Sequence, residues 1–236
     1  MAVYTKLKQE EINNILLNYK LGKLNKFEGI KEGIENTNYS IQTQKGKYIL
    51  TIYERRVKKT DLPFFSNLMV ELSKNGFVCP KPIANKDNNY ISDFNDKKFM
   101  IVSFLDGKSK SNLSPSECKI VGNQIARMHQ ITKNFKFTRN DDLSVRSWRG
   151  IFSQVKDKCN KIHAELPSLI EANLSSIEKE WPKNLPSGII HADLFSDNIF
   201  FKNNKFSGFI DFYFSCNDFY AFEIAICFNA LCFDGP

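Results

Sequence analysis

One stretch, GIIHADLFSDNIFF at residues 188–201, sets a histidine, two aspartates and an asparagine between two apolar runs. The spacing is His191-x-Asp193, four residues, then Asn198, and a later run, GFIDF, places Asp211 at the end of another apolar segment. Singly, each residue has an ordinary use. An aspartate after a strand is a turn or cap residue, an asparagine marks a turn, and a histidine holds a loop by hydrogen bonds. Jointly they match the needs of phosphoryl transfer. One carboxylate orients an attacking hydroxyl and accepts its proton, while an amide oxygen and a second carboxylate hold the magnesium that neutralises phosphate charge. Two short segments on adjacent strands would bring these groups to one sheet end.

Such groups work in a cleft, and the order of elements predicts one. Ile12, Ile15, Leu16 and Tyr19 recur at helical spacing before Gly22. LNKFEGI (24–30), TNYSIQTQ (37–44) and KYILTIYE (47–54) read as strands, the last two joined at Lys45-Gly46. DLPFFSNLMVELSKNG (61–76) reads as a helix with Asp61 as N-cap, and KKFMIVSFL (97–105) as a further strand. After Asp106-Gly107 the character changes. Ser114, Pro115 and Glu117 form a capping box ahead of the stripe Cys118, Val121, Ile125 and Met128. Helices over 144–164 and 168–181, separated by Pro167, precede the short runs SGII, NIFF and FSGFID, and the chain from about 218 reads as helix. Sheet first and helix later predicts an α+β fold of two lobes hinged near 103–107, with the ligand cleft between them.

Composition narrows the class. The chain has 236 residues, 42% hydrophobic and 25% charged, as in soluble globular proteins. A net charge of +7 is spread out, with ERRVKK (54–59) the densest cluster, so nucleic acid is not the expected partner. Six cysteines show no CxxC pair and only three histidines are present, which argues against zinc and for reduced thiols. The opening lacks a signal-peptide core, and AFEIAICFNALCF (221–233) is too short to span a bilayer. A cytoplasmic protein with no membrane partner is expected; the oligomeric state is not legible.

Longer strings carry a resemblance. GIENTNYSIQTQKGKYILTIYE, FMIVSFLDGK, VGNQIARMHQ and IDF with NDFYAFEIAI resemble four regions of the aminoglycoside phosphotransferase and choline kinase superfamily, relatives of protein kinases. These are its first hairpins, its hinge, its Ala-x-x-His helix, and its metal-binding strand with the acidic helix that follows. Within it, MAVYT, FEGIKEGIENTNY, YILTIYERRV, DLPFF, CPKPI, HADLFSDNIFF and IDFYFSCND resemble homoserine kinases of the bacterial type along the whole chain.

The resemblance implies a two-lobe protein-kinase-like fold. An antiparallel-sheet N-lobe (1–102) would bind nucleotide, and a mainly helical C-lobe (103–236) would carry catalysis and substrate. It implies ATP-dependent phosphorylation of the L-homoserine hydroxyl to O-phosphohomoserine, in threonine biosynthesis, with ATP and Mg2+ as cofactors. Asp193 would be the base, and Asn198 and Asp211 the metal ligands. The turn with Gly33, Asn36 and Asn38 would cover the phosphates, the backbone of Ser103, Phe104 and Leu105 would meet adenine, and His191 would hold the loop. The acceptor's ammonium and carboxylate call for an acid and a cationic or amide donor, for which Trp148, Arg149, Tyr213 and Asp218 are candidates.

Two features depart from the superfamily pattern. The third strand carries Thr51 where a Lys or Arg is usual, so Arg55 or Arg56 is the available replacement, and Glu71 sits late on its helix for a partner. The chain ends at FNALCFDGP where relatives add helices, so the C-lobe reads as shortened and the apolar face of 221–233 is expected to be exposed. Two other readings stand beside the first. One is a kinase of choline, an amino sugar or an aminoglycoside. The other is a truncated nucleotide-binding pseudokinase, against which the joint presence of Asp193, Asn198 and Asp211 argues.

Overall fold

The structure, a computed structural model, describes residues 3–33, 35–54 and 56–233. Its first helix, α1, spans Gln9–Leu16 and is shorter than its apolar spacing predicts. Tyr19 lies beyond it, buried, with its hydroxyl 3.0 Å from Ser92 Oγ. Strands β1 (Leu24–Gly29), β2 (Thr37–Thr43) and β3 (Gly46–Tyr53) form an antiparallel meander. Helix α2 (Leu62–Lys74) follows, then β4 (Ile91–Phe94) and β5 (Lys97–Ser103), giving the sheet order β1-β2-β3-β5-β4.

The apolar run in β5 is explained by burial on both faces. Phe99 and Ile101 pack with α1, Tyr39, Ile41, Leu50 and Ile52, while Met100 and Val102 join α2 on the other side. That second cluster continues through Val121, Ile125 and Met128 into Ile189, Leu194, Ile199 and Phe209, so one core runs from the sheet into the second half of the chain. At roughly 25 cal/mol per Å2 of apolar area removed from water, such a shared core is the main force holding the two halves together.

Helix α3 (Pro115–Ile131) begins with the expected capping box, in which Ser114 N–H donates to Glu117 Oε2 at 2.9 Å. Helices α4 (Val145–Cys159) and α5 (Leu166–Glu180) pack through Phe152, Cys159 and Leu174. Pro167 sits in the first turn of α5 and does not separate two helices, because a first-turn proline forfeits no intrahelical bond. Asp61 also departs from expectation. Its side chain makes no cap bond and instead accepts from Arg139 Nε at 2.7 Å, since a cation from the second half outcompetes a neutral N–H.

Four short strands follow: β6 (Ser187–Ile190), β7 (Ile199–Lys202), β8 (Lys205–Phe209) and β9 (Cys216–Phe219), before α6 (Tyr220–Leu231). They form two separate ribbons, β6 with β9 and β7 with β8. The expectation that the runs ending in Asp193 and Asp211 are adjacent strands is therefore corrected: β6 and β8 lie in different ribbons. All six cysteines are free thiols. No helix among the described residues is long and apolar enough to cross a membrane.

Candidate active site

The two ribbons are joined by two connectors running in opposite directions. Residues 191–198 leave β6 for β7, and residues 210–215 return from β8 to β9. The connectors are bonded to each other. Ile210 N–H donates to Asn198 O at 3.0 Å, His191 Nε2 lies 2.9 Å from Ile210 O, and Ser215 Oγ donates to His191 O at 3.4 Å. This crossing brings Asp193 and Asp211 together, each on its own connector. Both connectors contain a non-glycine residue at positive φ, Ala192 at 64° and Asp211 at 63°. Left-handed backbone costs such residues about 1–3 kcal/mol, and it persists where neighbouring bonds over-determine the loop.

Those bonds are identifiable. His191 is fully buried, and burial holds its imidazole below the usual range, against the opposing pull of Glu223. Glu223, fully buried on α6, accepts from His191 N–H at 2.7 Å and from Ala192 N–H at 3.0 Å. Its other neighbour is His129 of α3, at 3.5 Å, whose ring stacks on Tyr220. One acid thus pins the backbone on which Asp193 is mounted.

Asn198 fixes Asp193 from the other side. Its Nδ2 donates to Asp193 O and to Asp193 Oδ2, both at 2.8 Å, which leaves its amide oxygen turned away from Asp193. Asp193 is half-buried and its carboxyl is raised to about 7, by lost hydration first and then by Asp211, against the lowering bond from Asn198. Asp211 opens to the surface yet is ringed by protein atoms on its other sides. That crowding dominates, and with the charge of Glu35 it lifts the carboxyl to about 6, while the Tyr213 N–H and Arg56 pull it down. Two carboxylates held near each other with Glu35 close by form a locus of strong negative potential.

The turn expected over the phosphates carries Gly33 at φ +89°, and among the described residues a Cβ there would meet nothing within 4 Å. Asn36 and Asn38 are clamps of this turn: Asn36 Oδ1 accepts from Glu54 N–H at 3.4 Å, and Asn38 Oδ1 from Thr51 Oγ1 at 2.7 Å. Thr51, in the slot expected to hold a cation, is buried and engaged by that bond. Arg55 lies outside the described residues, whereas Arg56 pairs with Glu35 of the turn and stacks over Phe214 at 4.6 Å. Glu71 bonds Asn75 on its own helix. At the hinge, Ser103 N–H and Phe104 N–H donate to Lys81 O and Lys47 O, and Leu105 packs where Gly208 (φ +129°) leaves room.

The acceptor candidates separate. Tyr213 lines a cavity beside Asp211, and Asp218 on β9 faces Gly188 across the ribbon and adds negative charge near Asp141. Arg149 binds Glu178 and Glu171 of α5, and Trp148 donates to Leu143 O and packs edge-on against Trp181. Those two side chains join α4 to its neighbours and are not brought to Asp193.

This arrangement has relatives. A model of the phosphotransferase enzyme family matches residues 26–236. Homoserine kinases of Rhizobium meliloti (strain 1021) and Bradyrhizobium sp. (strain BTAi1 / ATCC BAA-1182) are each 42% identical to the chain over 234 residues, covering 99% of it and 72% of their own length. The chain belongs to the homoserine kinase branch of this phosphotransferase family. Solved structures agree on the fold. Choline kinase from Cryptosporidium parvum Iowa II aligns with a TM-score of 0.70 at 20% identity, over 92% of this chain and 68% of that one. An amicoumacin kinase in complex with AMP-PNP, Ca2+ and Ami aligns with a TM-score of 0.67 at 18% identity, over 94% and 68%. The fold is the two-lobe protein-kinase-like one.

Within this family fold, Glu223 and Glu35 escaped sequence reasoning, and Arg56 was legible only as a replacement cation. Glu223 was visible as the lone acid in an apolar helix, and a charge in such a run must find a buried partner, but no spacing rule names the backbone of residues 191 and 192. Glu35 and Arg56 enter the site only because the turn folds over the segment after Asp211. Ile224, Phe228 and Phe233 in the 221–233 stretch are exposed.

Proposed function

We propose that the protein transfers the terminal phosphoryl group of ATP to the side-chain hydroxyl of L-homoserine, giving O-phosphohomoserine in the cytoplasmic route to threonine. The observation that carries this reading is the crossing of the two connectors, which sets Asp193, held by Asn198, beside Asp211. The 42% identity to proteins named homoserine kinases supports the acceptor.

Asp193 is the base. Its carboxyl is fixed by the Asn198 amide where an acceptor hydroxyl can give up its proton, and a positioned base contributes typically ~10²–10⁴-fold in rate. Asn198 and Asp211 fit magnesium. Their free ligand atoms are oxygens, which suit a small hard cation, and a cation would offset the lost hydration and the neighbouring negative charge that raise both carboxyls, Glu35 beside Asp211 and Asp211 beside Asp193. When bound, the ion supplies charge neutralisation for the phosphates. The chain's first lobe, residues 1–102, holds the nucleotide under the Gly33–Asn38 turn, with adenine against the hinge at Ser103 to Leu105. Because the N–H groups of Ser103 and Phe104 are engaged, adenine recognition there falls to carbonyl oxygens and to Leu105. Residues 103–236 supply the catalytic groups and the acceptor site.

The test is ADP release with Mg-ATP across homoserine, choline, amino sugars and aminoglycosides. Homoserine turnover, lost in Asp193→Asn with the fold intact, is expected. Turnover of another acceptor but not of homoserine would overturn the acceptor, and nucleotide binding with no turnover at all would overturn the activity.

A further inference from the structure

A cavity of about 290 Å3 lies between the Glu35 turn, the segment after β3 and the residues following Asp211. Its charges do not cancel evenly. Lys58 Nζ is 2.8 Å from Asp142 Oδ1, and Arg139 binds Asp61 and Asp142, each at 2.7 Å. Asp141 is left over. Its Oδ1 accepts the Leu143 N–H at 2.8 Å, but its buried Oδ2 has no hydrogen-bond partner among the described residues, and the repulsion from Asp218 outweighs the pull of Arg139, which does not bond it. A buried carboxylate oxygen without a donor is unfavourable, and an ammonium is the partner that corrects it best.

The other side of the cavity offers the opposite chemistry. Arg56 has a half-exposed guanidinium, laid over the Phe214 ring and paired with Glu35. A guanidinium fork suits a carboxylate. An incoming carboxylate would take the place of Glu35 on that guanidinium. The cavity also borders the reacting groups: Glu35 acts on both Asp193 and Asp211, Arg56 acts on Asp211, and Tyr213 both lines the cavity and donates its N–H to Asp211.

We infer that this cavity is the acceptor subsite and reads a small α-amino acid by its two charges, with Asp141 taking the ammonium and Arg56 the carboxylate while the hydroxyl-bearing side chain reaches Asp193. The inference rests on the proposed phosphorylation of an amino acid and names the residues that select it. A site with one acid and one cation so placed favours a zwitterion over choline, which has no carboxylate, and over polycationic amino sugars.

The experiment pairs protein charges with substrate charges in the full chain. Wild type, Arg56→Gln and Asp141→Asn are assayed on L-homoserine, on 3-aminopropan-1-ol, which lacks the carboxylate, and on 4-hydroxybutyrate, which lacks the ammonium. Asp141→Asn keeps the oxygen that accepts from Leu143, and melting curves check folding. Arg56→Gln is expected to lose roughly 10–100-fold in kcat/KM on homoserine and nothing further on 3-aminopropan-1-ol. Asp141→Asn is expected to behave likewise towards 4-hydroxybutyrate. In Asp141→Asn the calorimetric Kd for Mg-ATP should stay within about twofold, as for a side chain that does not touch nucleotide.

Weaker Mg-ATP binding in Arg56→Gln with preference for homoserine retained would overturn the inference and move Arg56 to the phosphates. Unchanged discrimination in Asp141→Asn would overturn it as well. If no acceptor turns over, the proposed function fails separately, and homoserine binding by calorimetry decides the subsite. Binding lost in both variants upholds it; binding absent from wild type, or unchanged in either variant, removes it.

Discussion

Glu223 accepts the backbone N–H of His191 at 2.7 Å across 32 residues of sequence, and the N–H of Ala192 at 3.0 Å. The acid therefore does for the loop what a strand partner does for a strand, satisfying donors that would otherwise be buried and orphaned.

Glu223→Ala should destabilise the protein by at least about 1–3 kcal/mol, since the buried N–H of His191 and the part-buried N–H of Ala192 lose their acceptor. Urea denaturation measures the loss. Activity should fall with it even below the melting temperature, because Ala192 at positive φ is held next to Asp193 by the same bond.

Asp193→Asn should abolish useful turnover and stabilise the metal-free chain. The folded carboxyl at about 7 lies above its ordinary 3.8, so the native state binds more protons than the unfolded one between those values. Stability contributed by this group is full at low pH and falls as pH rises towards 7. Melting curves in EDTA should show the variant's advantage growing from pH 4 to 7 and levelling above it. A constant difference across that range would count against the raised carboxyl.

Gly208→Ala should disturb the hinge. A Cβ there would lie 2.6 Å from Val78 O and 2.9 Å from Leu105 Cδ2, at a φ of +129° that L-residues avoid. The cost should exceed ~1 kcal/mol. Fluorescent-nucleotide titration should report weaker ATP binding, with homoserine KM little affected at saturating ATP.

Arg149→Gln should leave homoserine KM unchanged. The guanidinium is engaged by Glu171 and Glu178 on α5, in solvent-screened pairs, so its removal should cost little stability. Steady-state kinetics on homoserine test this, and a large rise in KM would return Arg149 to the acceptor site.

Much of the fold was legible because local physics and final structure agree. The capping box at Ser114 and Glu117, the alternation in TNYSIQTQ and the two-sided burial of FMIV each follow from the short-range pattern. β4 and β9 escaped because ISDF and CNDF are short and only partly buried, so neither alternation nor a sustained apolar run marks them.

By itself the sequence determined which side chains could do chemistry and in what order they arrive: His191, Asp193, Asn198 and Asp211 at the ends of apolar runs. Only the tertiary structure decided how they meet. Asp193 and Asp211 come near each other through two crossing connectors between separate ribbons, Asp61 leaves its helix cap for Arg139, and Asp141 keeps an oxygen with no partner among the described residues beside the cavity. The physical reason is one throughout. Periodicity reports which face of an element is apolar, whereas the pairing of charges and buried donors depends on residues tens of positions apart, which no local pattern encodes.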